Sequence, residues 1–375
     1  MFYTNSQLAV SAATIGAGLV SGIFGRVLKW LPSSAAEIIL GIAFGFVTRW
    51  HPSDRATVLA SGLGLFLLMA SSGFEAGEEV VSNHLRMGTR LAVMGGLFAA
   101  VITFVTAQLF GQDIKVSLLL GIAAAPTSVG VATRSFYQFG LLKTKVASLV
   151  LSVAVVDDLV GISMLLLGEA FIISSGVTQS LKVLLASTFP PAMLFILTKY
   201  FPAIAQRWSM RQGTYLVAVF LVGTAGIIFS GSIVVIGFTI GTAIAMSGAS
   251  PSSLGIRAIW RSAEFISPVF FFLAGDSTYI SKPDLTSLLT FTAITVGVVI
   301  SRMVLVFAGK RELTSKSLFF AALLPRGEVT LVVLLAGMAV HIVSQQTYLG
   351  GVGAVVATSI ISPIMISLLR GGEGA

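Results

Sequence analysis

The sequence has no cysteine, three histidines and little charge, with 10% of its 375 residues being Asp, Glu, Lys or Arg. A water-soluble domain carries about a quarter charged residues, so this composition excludes an ordinary soluble globular protein. The absence of cysteine excludes disulfides, thiolate metal sites and a cysteine nucleophile. The chain also lacks a Ser/Gly-rich linker, a block of like charge and any low-complexity tract, so nothing divides it into separately soluble domains. The opening stretch from Met1 to Gln7 carries no basic run. The first apolar segment is therefore expected to be retained as a helix and not removed as a leader.

What is abundant is apolar: 55% of residues are hydrophobic, and the mean hydropathy is +0.97. One membrane helix takes roughly 20 apolar residues, which allows about 12 to 14 spans and leaves no length for a soluble domain. Cutting the chain at charge, Pro and Gly clusters predicts thirteen spans, over 7–28, 34–49, 56–74, 88–110, 115–138, 143–170, 181–201, 213–230, 232–249, 257–275, 285–308, 315–342 and 347–369. An odd number places the termini on opposite sides. With the N-terminus outside, sixteen Lys and Arg fall in cytoplasmic connections and five in external ones, an asymmetry that orients the chain N-out and C-in in a plasma (inner) membrane. It also accounts for the net charge of +8 through anionic lipid headgroups, and so removes a nucleic-acid partner. All four tryptophans, Trp30, Trp50, Trp208 and Trp260, fall at predicted span ends, where amphipathic rings belong.

Two spans contain breakers, Ala-Pro-Thr-Ser-Val-Gly at 125–130 and Leu-Pro-Arg-Gly-Glu-Val at 324–329. Six spans, a linker span and six more put these breaks at equivalent positions of two halves, the second entering the membrane from the opposite side. Paired interruptions of this kind point to a transporter's midplane site. The expectation is thus an all-α membrane protein of 13 transmembrane helices: two six-helix inverted repeats joined by a linker helix, with two broken crossing helices. Pro126 and Gly130 shape the first break, and Pro325, Arg326, Gly327 and Glu328 the second. Freed carbonyls and the Thr127 and Ser128 hydroxyls are suited to ligate a small hard cation.

Ionisable groups inside the hydrocarbon are costly, and each needs a partner or a task. Asp157 and Asp158 lie mid-span in Val-Val-Asp-Asp-Leu-Val-Gly. Neighbouring side chains on a helix diverge by about 100°, so one face cannot hide both. They read as an ion site, in which one carboxylate takes a desolvated cation or a proton and the other is held by a buried base. Arg302, deep in the eleventh span, needs an anion, and this Asp pair offers one. Arg326 and Glu328 flank Gly327, where they can pair with each other or neutralise half-helix ends. Glu37, in a Gly-rich span, reads as a packing or gating residue.

At these residues the sequence resembles the monovalent cation:proton antiporter superfamily, in particular the bacterial sodium/proton antiporter branch with an Asp-Asp pair. The resemblance is carried by the Thr-Ser-Val-Gly break, Val-Val-Asp-Asp-Leu at 155–159, Ser-Pro-Val-Phe-Phe-Phe-Leu-Ala-Gly at 267–275 and Leu-Pro-Arg-Gly-Glu-Val. Echoes at Leu31-Pro32, Glu37-Ile38-Ile39-Leu40-Gly41 and Gly73-Phe74-Glu75 extend it over nearly the whole chain. It implies the sodium/proton antiporter fold and a homodimer. The dimer scaffold would comprise 1–80 and 206–280, the ion-transport core 85–175 and 281–375, and the linker helix 176–205. It also implies that Asp158 binds Na⁺ or the proton and that Asp157 pairs with a base on the eleventh span. The family usually has Lys there; this chain has Arg302, which keeps its charge. An Asp pair favours two protons per sodium and Arg302 favours one, so the resemblance leaves both stoichiometries open.

The function expected is exchange of Na⁺ or Li⁺ for H⁺ by alternating access at a single carboxylate site, with no cofactor and no enzymatic activity. A K⁺/H⁺ antiporter or potassium efflux transporter is the alternative; such relatives carry a Gln-Asp pair and a nucleotide-binding domain that this chain lacks. An intramembrane aspartyl protease needs its two Asp on separate helices, and an ion channel would conduct without proton coupling.

Overall fold

The computed structural model describes residues 5–27, 31–49, 55–81, 85–173, 176–182, 185, 232–246, 254–278, 282–309, 313 and 315–369. Thirteen α-helices and one short π-helix appear among these residues, and no strand. They are α1 (Asn5–Val27), α2 (Ser33–Thr48), α3 (Arg55–Val81), α4 (Leu85–Leu109), α5 (Ile114–Ala124), α6 (Val129–Gln138), α7 (Lys145–Gly168), the π-helix Glu169–Ile173, α8 (Ile233–Met246), α9 (Leu254–Asp276), α10 (Leu285–Ala308), α11 (Lys316–Ala322), α12 (Glu328–Ala339) and α13 (Gln345–Leu369). α5 and α6 are two halves of one predicted span, and α11 and α12 of another. The predicted span 213–230 and nearly all of 181–201 lie outside the described residues, as do Trp30, Trp50 and Trp208.

Six described segments are long and apolar enough to cross a membrane. Phe46, Val47, Leu59, Leu109, Phe307 and Leu368 are each more than 70% exposed, which suits side chains facing lipid tails. The molecule is an all-helical membrane protein.

By compactness the chain forms two units. The smaller comprises Ser53–Asn83 and Leu166–Phe270. In it α3 and α8 approach so closely that each offers glycine to the other's backbone: a Cβ at Gly73 would overlap the Phe238 carbonyl, and one at Gly241 the Ala70 carbonyl. Small residues bring backbones together where lipid gives no hydrophobic drive for helices to associate. Thr242 Oγ1 donates to the Gly73 carbonyl at 3.0 Å. Around this seam Phe66, Phe74, Ile236, Ile240 and Ile244 are buried, and Trp260 meets the Phe74 ring edge-on, with centroids 5.5 Å apart.

The larger unit comprises Met1–Pro52, His84–Leu165 and Phe271–Ala375, and carries every predicted site residue. α10 begins with a reciprocal cap: Ser287 N–H donates to Asp284 Oδ1 at 2.9 Å, and Asp284 N–H donates to Ser287 Oγ at 3.0 Å. The cap fixes where α10 starts, and so where Arg302 falls along it. α10 packs on α4 and α13, α12 on α5 and α13, and α13 also on α6 and α2.

The α3–α8 seam generates a prediction. Gly241→Val is expected to destabilise the protein by about 1–3 kcal/mol through overpacking, read as a lower unfolding midpoint in detergent. Gly62→Ala is expected not to lower the midpoint, because a Cβ there meets only Ile233 Cδ1 at 3.6 Å and alanine is the better helix former.

Candidate functional site: a charged crossing of two broken helices

Proline has no N–H and disfavours helical geometry in the residue before it. α5 stops at Ala124, its C-cap Ala125 still has right-handed helical dihedrals, residues 126–128 leave the helix, and α6 starts at Val129. The second break runs from Leu323 to Gly327, around Pro325. The two breaks touch. Ser128 N–H donates to the Pro325 carbonyl at 3.0 Å, and a Cβ at Gly327 would lie 2.9 Å from Ser128 Cβ, closer than packed carbons come. Thr330 Oγ1 donates to the Ala123 carbonyl at 2.7 Å, satisfying an acceptor at the end of α5. α13 braces the second break: Thr358 Oγ1 accepts from Arg326 N–H at 3.2 Å, and Ser359 Oγ donates to the Arg326 carbonyl at 3.1 Å.

Thr127 is the hub of the crossing. Its hydroxyl donates to Asp157 Oδ2 at 2.6 Å and accepts from Arg302 Nη2 at 2.8 Å and from Arg326 Nη1 at 3.0 Å. Arg302 Nη2 forms an ion pair with Asp157 Oδ2 at 2.9 Å, both side chains fully buried, and lies 3.4 Å from the Ala125 carbonyl. Arg326 Nη1 donates to the carbonyls of Pro325 at 3.1 Å and Leu323 at 3.4 Å. Each guanidinium thus supports a half-helix C-terminus, where the helix dipole is negative.

Electrostatics explains why these groups gather. Buried charges are tolerated only when paired and hydrogen-bonded. Asp157 is 0% and Asp158 4% exposed, and Arg302 and Arg326 are both 0% exposed. The four charges sum formally to zero. Both aspartates attract Arg326 and Arg302 repels it, so the cluster acts as one electrostatic unit.

Asp157, Thr127, Arg302 and Arg326 are joined by direct hydrogen bonds. Asp158 follows Asp157 on α7, and the Ser128 backbone binds the opposite break. Pro126 packs on α7 at Gly161, where a Cβ would come within 2.6 Å of Pro126 Cβ. Gly130 has nothing within 4 Å of where its Cβ would be. Glu328 opens α12 and is 8% exposed. Glu37 is buried on α2 at 4% exposure. Arg326, expected among the structural residues of the break, does bind the carbonyls at the end of α11, and its guanidinium also reaches Thr127, in the charged cluster. The signal available was the one that marked Arg302, a lone arginine in an apolar span. No group of three or more His, Cys, Asp or Glu able to hold a metal occurs among the described residues. A cation at this crossing would be bound by carboxylate, hydroxyl and carbonyl oxygens, donors suited to hard ions.

Two broken helices meeting at buried carboxylates inside an apolar helical chain define a membrane transporter of the secondary type. Residues 10–369 match the family described as sodium/hydrogen exchanger, transmembrane, and the chain belongs to that family. It is 24% identical to a Na⁺/H⁺-K⁺ antiporter, GerN, of Bacillus cereus over 91% of both chains. It is 23% identical to a Na⁺/H⁺ antiporter of Enterococcus hirae over 96% of this chain and 95% of the other. The sodium proton antiporter MjNhaP1 of Methanocaldococcus jannaschii superimposes with a TM-score of 0.70 at 16% identity, covering 98% of both chains, and so shares the fold. These relatives are transporters, not enzymes.

The hub generates the second prediction. Thr127→Val leaves Asp157 and two guanidinium groups each short of a partner, at an expected cost of about 1–3 kcal/mol. Thr127→Ser, which keeps the hydroxyl, is expected to unfold close to wild type in the same thermal assay.

Proposed function

We propose that this protein exchanges Na⁺ or Li⁺ for H⁺ across the plasma membrane, at one site centred on Asp158, by alternating access. The observation that carries this reading is the pairing of Asp157 with Arg302 and Thr127. Asp157 is the held carboxylate of the pair, and Asp158, buried beside it on α7, is assigned the role of binding the transported ion. Asp157 and Ser128 complete the oxygen environment, Thr127, expected from the sequence to ligate the ion, instead holds Asp157 because its hydroxyl is already saturated by three hydrogen bonds, and Arg302 supplies the fixed counter-charge. Membership of the exchanger family and the names of the relatives support the same reading.

A proton and a monovalent cation compete for the same carboxylate oxygens, so binding of one requires release of the other. If the empty site cannot change sides, competition becomes obligate exchange. In this scheme thirteen transmembrane helices form two inverted six-helix repeats about a linker, N-terminus outside and C-terminus cytoplasmic. The chain works as a homodimer in which 85–175 and 281–375 move against a scaffold of 1–80 and 206–280, through the linker 176–205. This division is functional and does not follow compactness, since residues 1–52 cluster in the same unit as the site. Glu37 is assigned a gating role. K⁺ exchange is the second reading, favoured by the name of the Bacillus cereus relative, a Na⁺/H⁺-K⁺ antiporter.

The test is proton flux in proteoliposomes with an imposed pH gradient. Na⁺ or Li⁺ is expected to collapse the gradient, and Asp158→Asn to abolish that response. The rate is expected to fall toward acidic pH, where protons hold the carboxylate. A response to K⁺ alone would favour the second reading, and full cation-coupled flux in Asp158→Asn would exclude Asp158 as the site.

A further inference from the structure

We infer that Gly95 on α4 is a positioning residue for this exchange: it is the seat of the Arg302 guanidinium and sets that group's reach to Asp157. The inference rests on the reading of the Asp pair as the exchange site. α4 carries two successive glycines mid-helix, an arrangement unfavourable in itself, since glycine is a poorer helix former than alanine. Each faces one partner of the buried ion pair. A Cβ at Gly95 would overlap Arg302 Nη1 and lie 2.6 Å from Leu305 Cδ1. One at Gly96 would lie 3.1 Å from Val160 Cγ1 and 3.7 Å from Asp157 Oδ1. Successive helical positions diverge by about 100°, so α4 sits in the angle between α10 and α7 at the level of the pair.

Arg302 Nη1 and Asp157 Oδ1 are buried with no hydrogen-bond partner among the described residues, whereas Arg302 Nη2 and Asp157 Oδ2 hold the pair together. The α4 backbone thus backs the pair from behind while Thr127 engages it from the front. Leu305 Cδ1 is the end of a flexible side chain that can turn aside. The guanidinium is planar, anchored through Nη2 to Asp157, Thr127 and Ala125, and cannot turn aside without leaving them. The same two helices supply a control. A Cβ at Gly297 on α10 would overlap Thr103 Oγ1 on α4, an equally close approach that does not involve Arg302.

The experiment is a double-mutant cycle in the full-length protein: wild type, Gly95→Ala, Arg302→Lys and both together, with Gly297→Ala made in the same two backgrounds. Exchange in proteoliposomes and the unfolding midpoint in detergent are read for each. Gly95→Ala alone is expected to slow exchange by about tenfold to 100-fold, the penalty of misplacing a positioning group by roughly an ångström. Lysine has no Nη1 to displace. Adding Gly95→Ala to Arg302→Lys is therefore expected to change rate and midpoint by less than about twofold and about 1 °C, a strong non-additivity. Gly297→Ala is expected to lower the midpoint equally in both backgrounds. An equal penalty for Gly95→Ala in both backgrounds overturns the inference and leaves Gly95 a packing residue. A wild type without cation-coupled flux overturns the exchange reading instead, and the midpoints still report whether Gly95 seats Arg302.

Discussion

A guanidinium and a carboxylate 2.9 Å apart, both shut off from water, are the constraint around which this protein is built. Neither charge survives alone in an apolar interior, and removing one partner of such a pair costs more than the pair contributes. The surrounding structure meets that constraint from several sides. Thr127 holds both partners through one hydroxyl, the Ala125 carbonyl at the end of α5 takes part of the Arg302 charge, and Arg326 brings a second positive group beside the two aspartates. The helix breaks make this possible, because an unbroken α5–α6 helix would have no free carbonyl and no turned-out hydroxyl to offer.

The breaks are in turn held by each other and by α13. The Ser128-to-Pro325 hydrogen bond, the close approach at Gly327 and the Thr330-to-Ala123 bond tie the two unwound segments into one object. Thr358 and Ser359 anchor it to a long continuous helix. Under the proposed alternating access, a crossing tied together in this way would keep its internal geometry while it changes sides. Arg302 further constrains the chemistry. Because arginine keeps its proton, the proposed exchange leaves a carboxyl group, and not the base, to carry the proton.

Much of this was legible in the sequence, for a physical reason. Charge in an apolar run stands out, so Asp157, Asp158 and Arg302 could be singled out without any structure, and Pro126 and Pro325 marked interrupted helices because proline cannot continue the hydrogen-bond ladder. The mutual relations of these residues were less legible. For Arg326 the sequence left pairing with Glu328 or neutralising a half-helix end open; its bonds to the Leu323 and Pro325 carbonyls fit the second, whereas its contact with Thr127 spans 199 residues. Gly95 gave no signal at all. Among 39 glycines nothing in the sequence marks the one that faces a guanidinium, since the partner is chosen by the packing of α4 on α10. The predicted span 213–230 and nearly all of 181–201 lie outside the described residues.

The central claim is that one buried carboxylate site is shared by a proton and a cation. Proton release on cation binding measures this most directly: Na⁺, Li⁺ or K⁺ is added to the purified protein in weakly buffered detergent solution, and the pH change is followed over a range of starting pH. Sharing of the site predicts that the transported cation displaces protons in proportion to the protein present, that more cation is needed at lower pH, and that Asp158→Asn releases none. Cation binding with no proton release, or release undiminished in Asp158→Asn, would contradict it.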